Sequence, residues 1–146
     1  MNVDACDILV VEDNPTDVEL TLRALSRFNL GNRVTVVEDG EEALAYLFGE
    51  GRFAGHPDGK TPRVVLLDLK LPKLSGLEVL ARMRADERTR LTPVVVVTSS
   101  REDPDIRRAY ELGANSYVVK PVEFDRFVEA VAHLGMYWLA VNQPPR

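Results

Sequence analysis

Two hydrophobic patterns alternate along the chain: short continuous apolar runs, and longer stretches whose apolar residues recur at helical spacing. Continuous runs are typical of parallel strands, because such strands are buried on both faces. The runs are Ile8–Val11, Val64–Leu67, residues 94–97 and residues 117–119, and Val34–Val37 is a weaker run typical of an edge strand. Five strands that alternate with five helices predict an α/β fold, a doubly wound parallel sheet with helices on both faces.

The predicted helices begin at residues that suit a first helical turn. Asn14 can cap the first helix and is followed by a proline, whose missing N–H costs nothing at that position. Asp39 and Ser75 are each followed three residues later by a glutamate, which is the capping-box pattern. The inner faces are expected to contain Val18, Leu22 and Leu25 in the first helix, Leu77, Leu80 and Ala81 in the third, and Ile106, Ala109 and Tyr110 in the fourth.

The fifth helix, from about residue 123, carries two apolar stripes where a helix on a sheet needs one. The first stripe is expected to dock on the sheet and consists of Phe124, Phe127, Val128, Val131 and Trp138. The second stripe consists of Ala130, Leu134, Tyr137 and Val141. It is either the margin of a wide core-facing surface or an interaction site. We expect a homodimer interface, because a twofold contact lets the stripe cover its own copy.

Polar side chains follow four of the predicted strands. Glu12 and Asp13 follow the first, Asp68 the third, Thr98 the fourth and Lys120 the fifth. Each taken alone is commonly a helix cap or a solvated charge. In a flavodoxin-like sheet with strand order 2-1-3-4-5, however, the first and third strands are neighbours and ligands bind at their carboxyl ends. Three carboxylates in one crevice require a cation, and oxygen ligands favour Mg²⁺ over Zn²⁺.

Length, charge and cysteine content limit the kind of protein. The 146 residues suffice for one domain, with a core expected at about residues 6–141. A net charge of -5 argues against nucleic-acid binding. The single cysteine, Cys6, excludes an internal disulfide and suits a reducing cytoplasm. We expect a soluble cytoplasmic protein without membrane contact, since no apolar run approaches the ~20 residues of a membrane span and no signal-peptide pattern opens the chain.

Together the motifs resemble the receiver domain of response regulators in two-component signalling. They are residues 11–14 (Val-Glu-Asp-Asn), residues 67–72 followed by Ser75 and Gly76, residues 98–99, and residues 117–121. The resemblance covers nearly the whole chain, which implies a single receiver domain over residues 1–146 without an output domain. A narrower resemblance, to regulators paired with bacterial phytochrome kinases, is carried by residues 39–44, residues 120–124, Trp138 and Leu139.

The resemblance implies a role for each site residue. Asp68 would be the phosphoacceptor, taking a phosphoryl group from a sensor histidine kinase. Mg²⁺ would be held by Asp13, Asp68 and the backbone carbonyl of Lys70, with Glu12 acting mainly through bound water. The protein would not be an enzyme in its own right, although it would assist its own phosphorylation and dephosphorylation.

The remaining site residues would bind the phosphoryl oxygens and respond to them. Lys120 and Thr98 would contact those oxygens, and Thr98 with Tyr117 would form the switch that remodels the face of the fourth helix, fifth strand and fifth helix. Two positions depart from common family patterns. Lys70, two residues after Asp68, and Ser100, a small residue expected to leave its flank of the site open, are expected to tune the phosphoryl lifetime.

Two other functions share part of this pattern. A phosphatase of the haloacid-dehalogenase type needs a second aspartate two residues after its nucleophile, where this chain has Lys70. A flavodoxin-type protein binds the phosphate of its flavin in a loop rich in hydroxyls and glycine, whereas residues 12–15 would repel phosphate without a cation. His56 and His133 have no partners at metal-ligand spacing and are expected at the surface.

Overall fold

The computed structural model describes residues 7–27, 34–54, 62–121 and 123–143. The strands are β1 (Ile8–Val11), β2 (Val34–Val37), β3 (Val64–Leu67), β4 (Val94–Thr98) and β5 (Ser116–Val119). The helices are α1 (Pro15–Ser26), α2 (Gly40–Phe48), α3 (Gly76–Ala85), α4 (Asp103–Glu111) and α5 (Phe124–Met136), with a 3₁₀ turn at Gly51–Phe53 and a π-helical segment at Tyr137–Val141. Cys6 and His56 lie outside the described residues.

All five strands are parallel and lie in the order β2-β1-β3-β4-β5, so the predicted flavodoxin-like topology is confirmed. Val11 at the end of β1 is in register with Val37 of β2 and with Leu67 of β3. At the other side of the sheet, Thr98 of β4 is in register with Val119 of β5. The residues that follow these strands therefore lie together at the carboxyl ends of the strands.

The core has two layers, one on each face of the sheet. Alternate strand residues contribute to opposite layers, because successive side chains of a strand point to opposite faces. One layer includes Leu9, Val65 and Val96 and is covered by α2, α3 and α4. The other includes Val10 and Leu66 and is covered by α1 and α5.

The predicted caps are confirmed. Asn14 Oδ1 accepts hydrogen bonds from the backbone N–H groups of Thr16 and Asp17, at 2.9 and 3.1 Å. Asp39 caps α2 and Ser75 caps α3 in the same way, each accepting from the backbone N–H three residues later at 2.7 and 3.3 Å. These bonds satisfy donors that a helix N-terminus otherwise leaves unpaired.

Several predicted inner faces were wrong in part, because apolar spacing gives the period of a helix but not which neighbour it packs against. The buried face of α1 is Leu20, Thr21, Ala24 and Leu25, since α1 packs against α5 as well as the sheet. That of α3 is Gly76, Val79, Leu80 and Met83; Leu77 packs against this core but is only half-buried, as is Ala81. Tyr110 and Phe124, both expected inward, are 51% and 48% exposed. Among the described residues, no helix is long and apolar enough to cross a bilayer.

Candidate functional site

The carboxyl edge of the central strands carries three carboxylates. Glu12 and Asp13 follow β1 and Asp68 follows β3, and an oxygen from each lies within 4.8 Å of the others. Glu12 and Asp68 are buried, whereas Asp13 is exposed to solvent. The predicted carboxylate cluster is therefore formed, and it has the oxygen-only chemistry that a hard divalent cation prefers.

One ammonium group neutralises part of this charge. Lys120 Nζ lies 2.5 Å from Glu12 Oε1, 2.9 Å from Asp68 Oδ2 and 2.8 Å from Asp17 Oδ2. Its position is fixed from the backbone, because the Lys120 N–H donates to the carbonyl oxygen of Thr98 at 2.8 Å. The predicted pairing of Lys120 with Asp68 is present in the structure, and two further carboxylates share the same ammonium.

Burial and hydrogen bonding give the two buried acids opposite pKa shifts. Burial dominates at Glu12 and raises its pKa to about 7, in spite of the Lys120 ammonium beside it. Burial also opposes ionisation of Asp68, but hydrogen bonds from Lys120, the Lys70 N–H and Thr98 outweigh it and lower the pKa of Asp68. Burial works against the charged form of Lys120, but its three carboxylate partners prevail and raise its pKa. Asp68 is therefore ionised and paired at neutral pH.

The backbone around Asp68 is closely packed. The Lys70 N–H donates to Asp68 Oδ1 at 3.2 Å, and the Lys70 side chain is exposed. Gly76, at the start of α3, lies against the main chain of this loop: a Cβ at Gly76 would lie 2.1 Å from the Asp68 carbonyl oxygen. Only glycine fits at this position, because any larger residue would displace the loop that begins at Asp68.

The proposed switch pair lies next to the crevice. Thr98 is fully buried, and its hydroxyl helps to lower the pKa of Asp68. Tyr117 is half-buried against the core layer under α3 and α4, and its hydroxyl donates to the carbonyl oxygen of Ser100 at 3.0 Å. Burial raises the pKa of the Tyr117 phenol.

The expectation that Ser100 leaves its flank of the site open is wrong. Ser100 is only 4% exposed, and its hydroxyl donates to Asp105 Oδ2 at 2.5 Å. The Ser100 hydroxyl oxygen also accepts a hydrogen bond from the Glu102 N–H at 3.3 Å. The Ser100 side chain therefore joins the loop after β4 to the start of α4. The N-cap residue of α4, Glu102, makes no side-chain capping bond of its own.

Asp17 was not identified from the sequence as a site residue. It occupies the first turn of α1, where an acidic residue is commonly explained by the helix dipole alone. The available signal was its position in the chain four residues after Asp13, in the first turn of the helix that follows the same strand end.

The second stripe of α5 is partly exposed. Ala130 and Leu134 are half-buried, whereas Tyr137 and Val141 are 49% and 65% exposed. A groove of about 570 Å³ lies between β5 and this stripe, lined by Asn115, Ser116, Val118, Ala130, His133, Leu134, Tyr137 and Trp138. His133 is exposed, as expected.

Comparison with known proteins identifies the family. Residues 8–132 match the response regulator receiver domain. The chain is 43% identical over 141 residues to the probable methanogenesis regulatory protein FilR2 of Methanothrix harundinacea, covering 94% of this chain and 86% of that protein.

Solved structures agree with this match. The phosphorylated cyanobacterial phytochrome response regulator RcpA superposes with a TM-score of 0.90 at 36% identity, covering 97% of this chain and 99% of that chain. The bacteriophytochrome response regulator RtBRR superposes with a TM-score of 0.76 at 54% identity, covering 97% and 84%. This chain belongs to the response regulator receiver domain family of two-component signalling.

Proposed function

We propose that Asp68 accepts a phosphoryl group from a phosphohistidine of a sensor histidine kinase. The observation that carries this proposal is the 2.9 Å contact between Asp68 Oδ2 and Lys120 Nζ, at the end of the central strand and beside two further carboxylates. An Asp68 oxygen would bond to phosphorus while the phosphorus–nitrogen bond to the kinase breaks, and the bonding electrons would return to the imidazole. Lys120 and Thr98 would then bind oxygens of the new group.

Receiver domains bind Mg²⁺ or Mn²⁺ at an acidic cluster. In this chain Glu12, Asp13 and Asp68 fit such an ion, because a carboxylate oxygen from each lies within 4.8 Å of the others. Asp13 and Asp68, with the Lys70 carbonyl, would hold Mg²⁺, and Glu12 would contribute mainly through water. The ion would neutralise charge on the transferred group. Glu12 would also keep Lys120 oriented through its 2.5 Å contact.

The direct test is labelling with acetyl phosphate in the presence of Mg²⁺. Wild type should incorporate one phosphoryl group, and Asp68→Asn should incorporate none. Asp103→Asn is the matched control, because it replaces an exposed aspartate at the start of α4 and should label like wild type. Equal labelling of wild type and Asp68→Asn would disprove the assignment.

The signal would leave through the face formed by α4, β5 and α5. A phosphoryl group at Asp68 would draw the Thr98 hydroxyl toward it, and Tyr117 would respond because its hydroxyl is bonded to the loop that begins after Thr98. Ligand-driven switches of this kind shift a population between two arrangements.

The protein would act in the cytoplasm on other proteins and would not itself bind nucleic acid.

The kinase we propose is a bacterial phytochrome. RcpA and RtBRR are named as phytochrome and bacteriophytochrome response regulators, and RtBRR is 54% identical to this chain. FilR2 is named for methanogenesis regulation, which makes a kinase of another pathway the alternative. A phosphotransfer profile against the histidine kinases of the source genome would separate them, because the cognate kinase transfers fastest.

We further propose a homodimer through the second stripe of α5, the residues Ala130, Leu134, Tyr137 and Val141. The exposed side chains of Tyr137 and Val141 support this dimer, as does the adjoining groove along β5. A specific dimer needs about 800 Å² of buried surface per partner. The stripe belongs to the face that phosphorylation would remodel, so dimer affinity would respond to the phosphoryl group; the alternative is a constitutive dimer.

A further inference from the structure

Asp17 reaches the acidic crevice from a different element than the other carboxylates. It lies in the first turn of α1, and its backbone is fixed there because Asn14 Oδ1 accepts from the Asp17 N–H at 3.1 Å. Its carboxylate Oδ2 lies 2.8 Å from Lys120 Nζ. The contact is therefore made from a capped helix terminus and not from a mobile loop.

The ammonium of Lys120 has three N–H donors, and three carboxylates lie within hydrogen-bond distance of it. An anionic group added at Asp68 would compete with these partners for the same donors. Water cannot easily replace the ammonium at Glu12, because the Glu12 side chain is only 7% exposed. The Asp17 side chain is 23% exposed and can be hydrated when the ammonium moves away. Asp17 is thus the partner most easily released.

We propose that Asp17 is a positioning residue that holds the Lys120 ammonium on the α1 side of the crevice and limits how fully Lys120 pairs with an anionic group at Asp68. The inference rests on the proposed function of Asp68 and adds to it a restraint on the position of the Lys120 ammonium. Asp17 acts through Lys120 and contacts neither the phosphoryl group nor the cation.

Two opposite consequences follow for Asp17→Asn. Lys120, released from Asp17, pairs more fully with Glu12 and Asp68, so Mg²⁺ must compete harder for these carboxylates and binds more weakly. At saturating Mg²⁺ the same ammonium is free to meet an added anion, so beryllofluoride, a phosphoryl analogue, binds more tightly. Each change should be roughly two- to fivefold, the range of a partly exposed ion pair.

The experiment measures Mg²⁺ affinity and beryllofluoride affinity by calorimetry for wild type, Asp17→Asn and Asp17→Glu. Asp17→Glu should restore part of the wild-type behaviour in both titrations. Glu19→Gln is the matched control: it removes the same charge from the same helix, but Glu19 pairs with Arg23 at 3.1 Å and not with Lys120. It should leave both affinities unchanged.

A double-mutant cycle separates positioning from a general charge effect. In a Lys120→Gln background, with folding checked by circular dichroism, Asp17→Asn should no longer alter either affinity. The inference is overturned if Asp17→Asn leaves both affinities unchanged, if Glu19→Gln gives the same effects, or if the effects persist without Lys120. Failure of the proposed function appears separately, as absent acetyl phosphate labelling, while the Mg²⁺ titration still tests Asp17.

Discussion

The hydroxyl of Tyr117 donates a hydrogen bond to the main-chain carbonyl of Ser100, with the two oxygens 3.0 Å apart. This bond joins β5 to the loop that follows β4. Because the Ser100 side chain is in turn bonded to Asp105, the same short loop is also joined to α4. The loop begins directly after Thr98, so the proposed displacement of Thr98 would reach both elements through these hydrogen bonds.

Tyr117→Phe keeps the ring and removes this hydrogen bond. We expect the free energy of unfolding to fall by about 1 kcal/mol, the usual net value of one intramolecular hydrogen bond. Urea denaturation measures the difference, and acetyl phosphate labelling at Asp68 should be retained. Tyr110→Phe is the matched control, since Tyr110 is 51% exposed on α4 and its change should stay within about 0.5 kcal/mol. Equal losses in both variants would show that the Ser100 bond contributes nothing.

Asp13→Ala should weaken Mg²⁺ binding by roughly tenfold or more, because Mg²⁺ keeps few protein ligands and depends on each carboxylate. The same change removes a negative charge that repels Glu12 and Asp68 in the absence of metal. Metal-free Asp13→Ala should therefore melt at a higher temperature than metal-free wild type. Asp125→Ala, in the exposed first turn of α5, serves as the control for calorimetry and melting. Unchanged Mg²⁺ affinity in Asp13→Ala would rule out Asp13 as a ligand.

Glu12 should make the stability of the metal-free protein depend on pH. Its pKa is raised from 4.5 to about 7 by burial, so the folded state holds this proton more tightly than the unfolded chain does. This stabilisation is complete below pH 4.5 and is lost as the pH rises to 7, with a slope of at most about 1.4 kcal/mol per pH unit.

Denaturation in the presence of a chelator, at several pH values between 4.5 and 7, measures this slope. Glu12→Gln should flatten it, because the amide does not titrate. Glu19→Gln, an exposed position on α1, should leave it as in wild type. A wild-type slope that survives in Glu12→Gln would place the titrating group elsewhere.

The dimer prediction is tested by placing a charge in the second stripe of α5. Tyr137→Asp and Leu134→Asp should each sediment as a folded monomer that still accepts phosphate at Asp68. Leu91→Asp is the matched control, because Leu91 is a 59% exposed leucine between α3 and β4, and this variant should remain dimeric. Wild type that sediments as a monomer at high micromolar concentration, with and without beryllofluoride, would refute the dimer.

The strand order and the carboxylate cluster could be predicted from the sequence. Continuous apolar runs such as Ile8–Val11 and Val64–Leu67 indicate strands buried on both faces, and the residues that follow them necessarily meet at one edge. The caps were equally local, since Asn14 and Asp39 bond to N–H groups two or three residues away.

The contacts that the sequence did not predict depend on distant residues. Asp17 meets Lys120 across 103 positions, and Tyr117 meets Ser100 only because β5 lies beside β4. The exposure of Phe124 also depends on a distant residue. Phe124 lies in the first turn of α5, where the Arg23 guanidinium is 5.6 Å from the centre of its ring. Apolar spacing cannot give the position of such a residue relative to the end of a neighbouring helix.

The place of β5 at the edge of the sheet has a consequence for local opening. β1, β3 and β4 are fully buried and each pairs on both sides, whereas β5 pairs with β4 alone and every one of its residues is half-buried. Regions with fewer partners open at a smaller free-energy cost than the global unfolding of the protein. Amide hydrogens of Tyr117 and its strand should thus exchange with solvent faster than those of Val10 or Leu66. Tyr117, one residue of the proposed switch, therefore lies on an edge strand that separates from the sheet at a smaller cost than β3, the strand that Asp68, the proposed phosphoacceptor, follows.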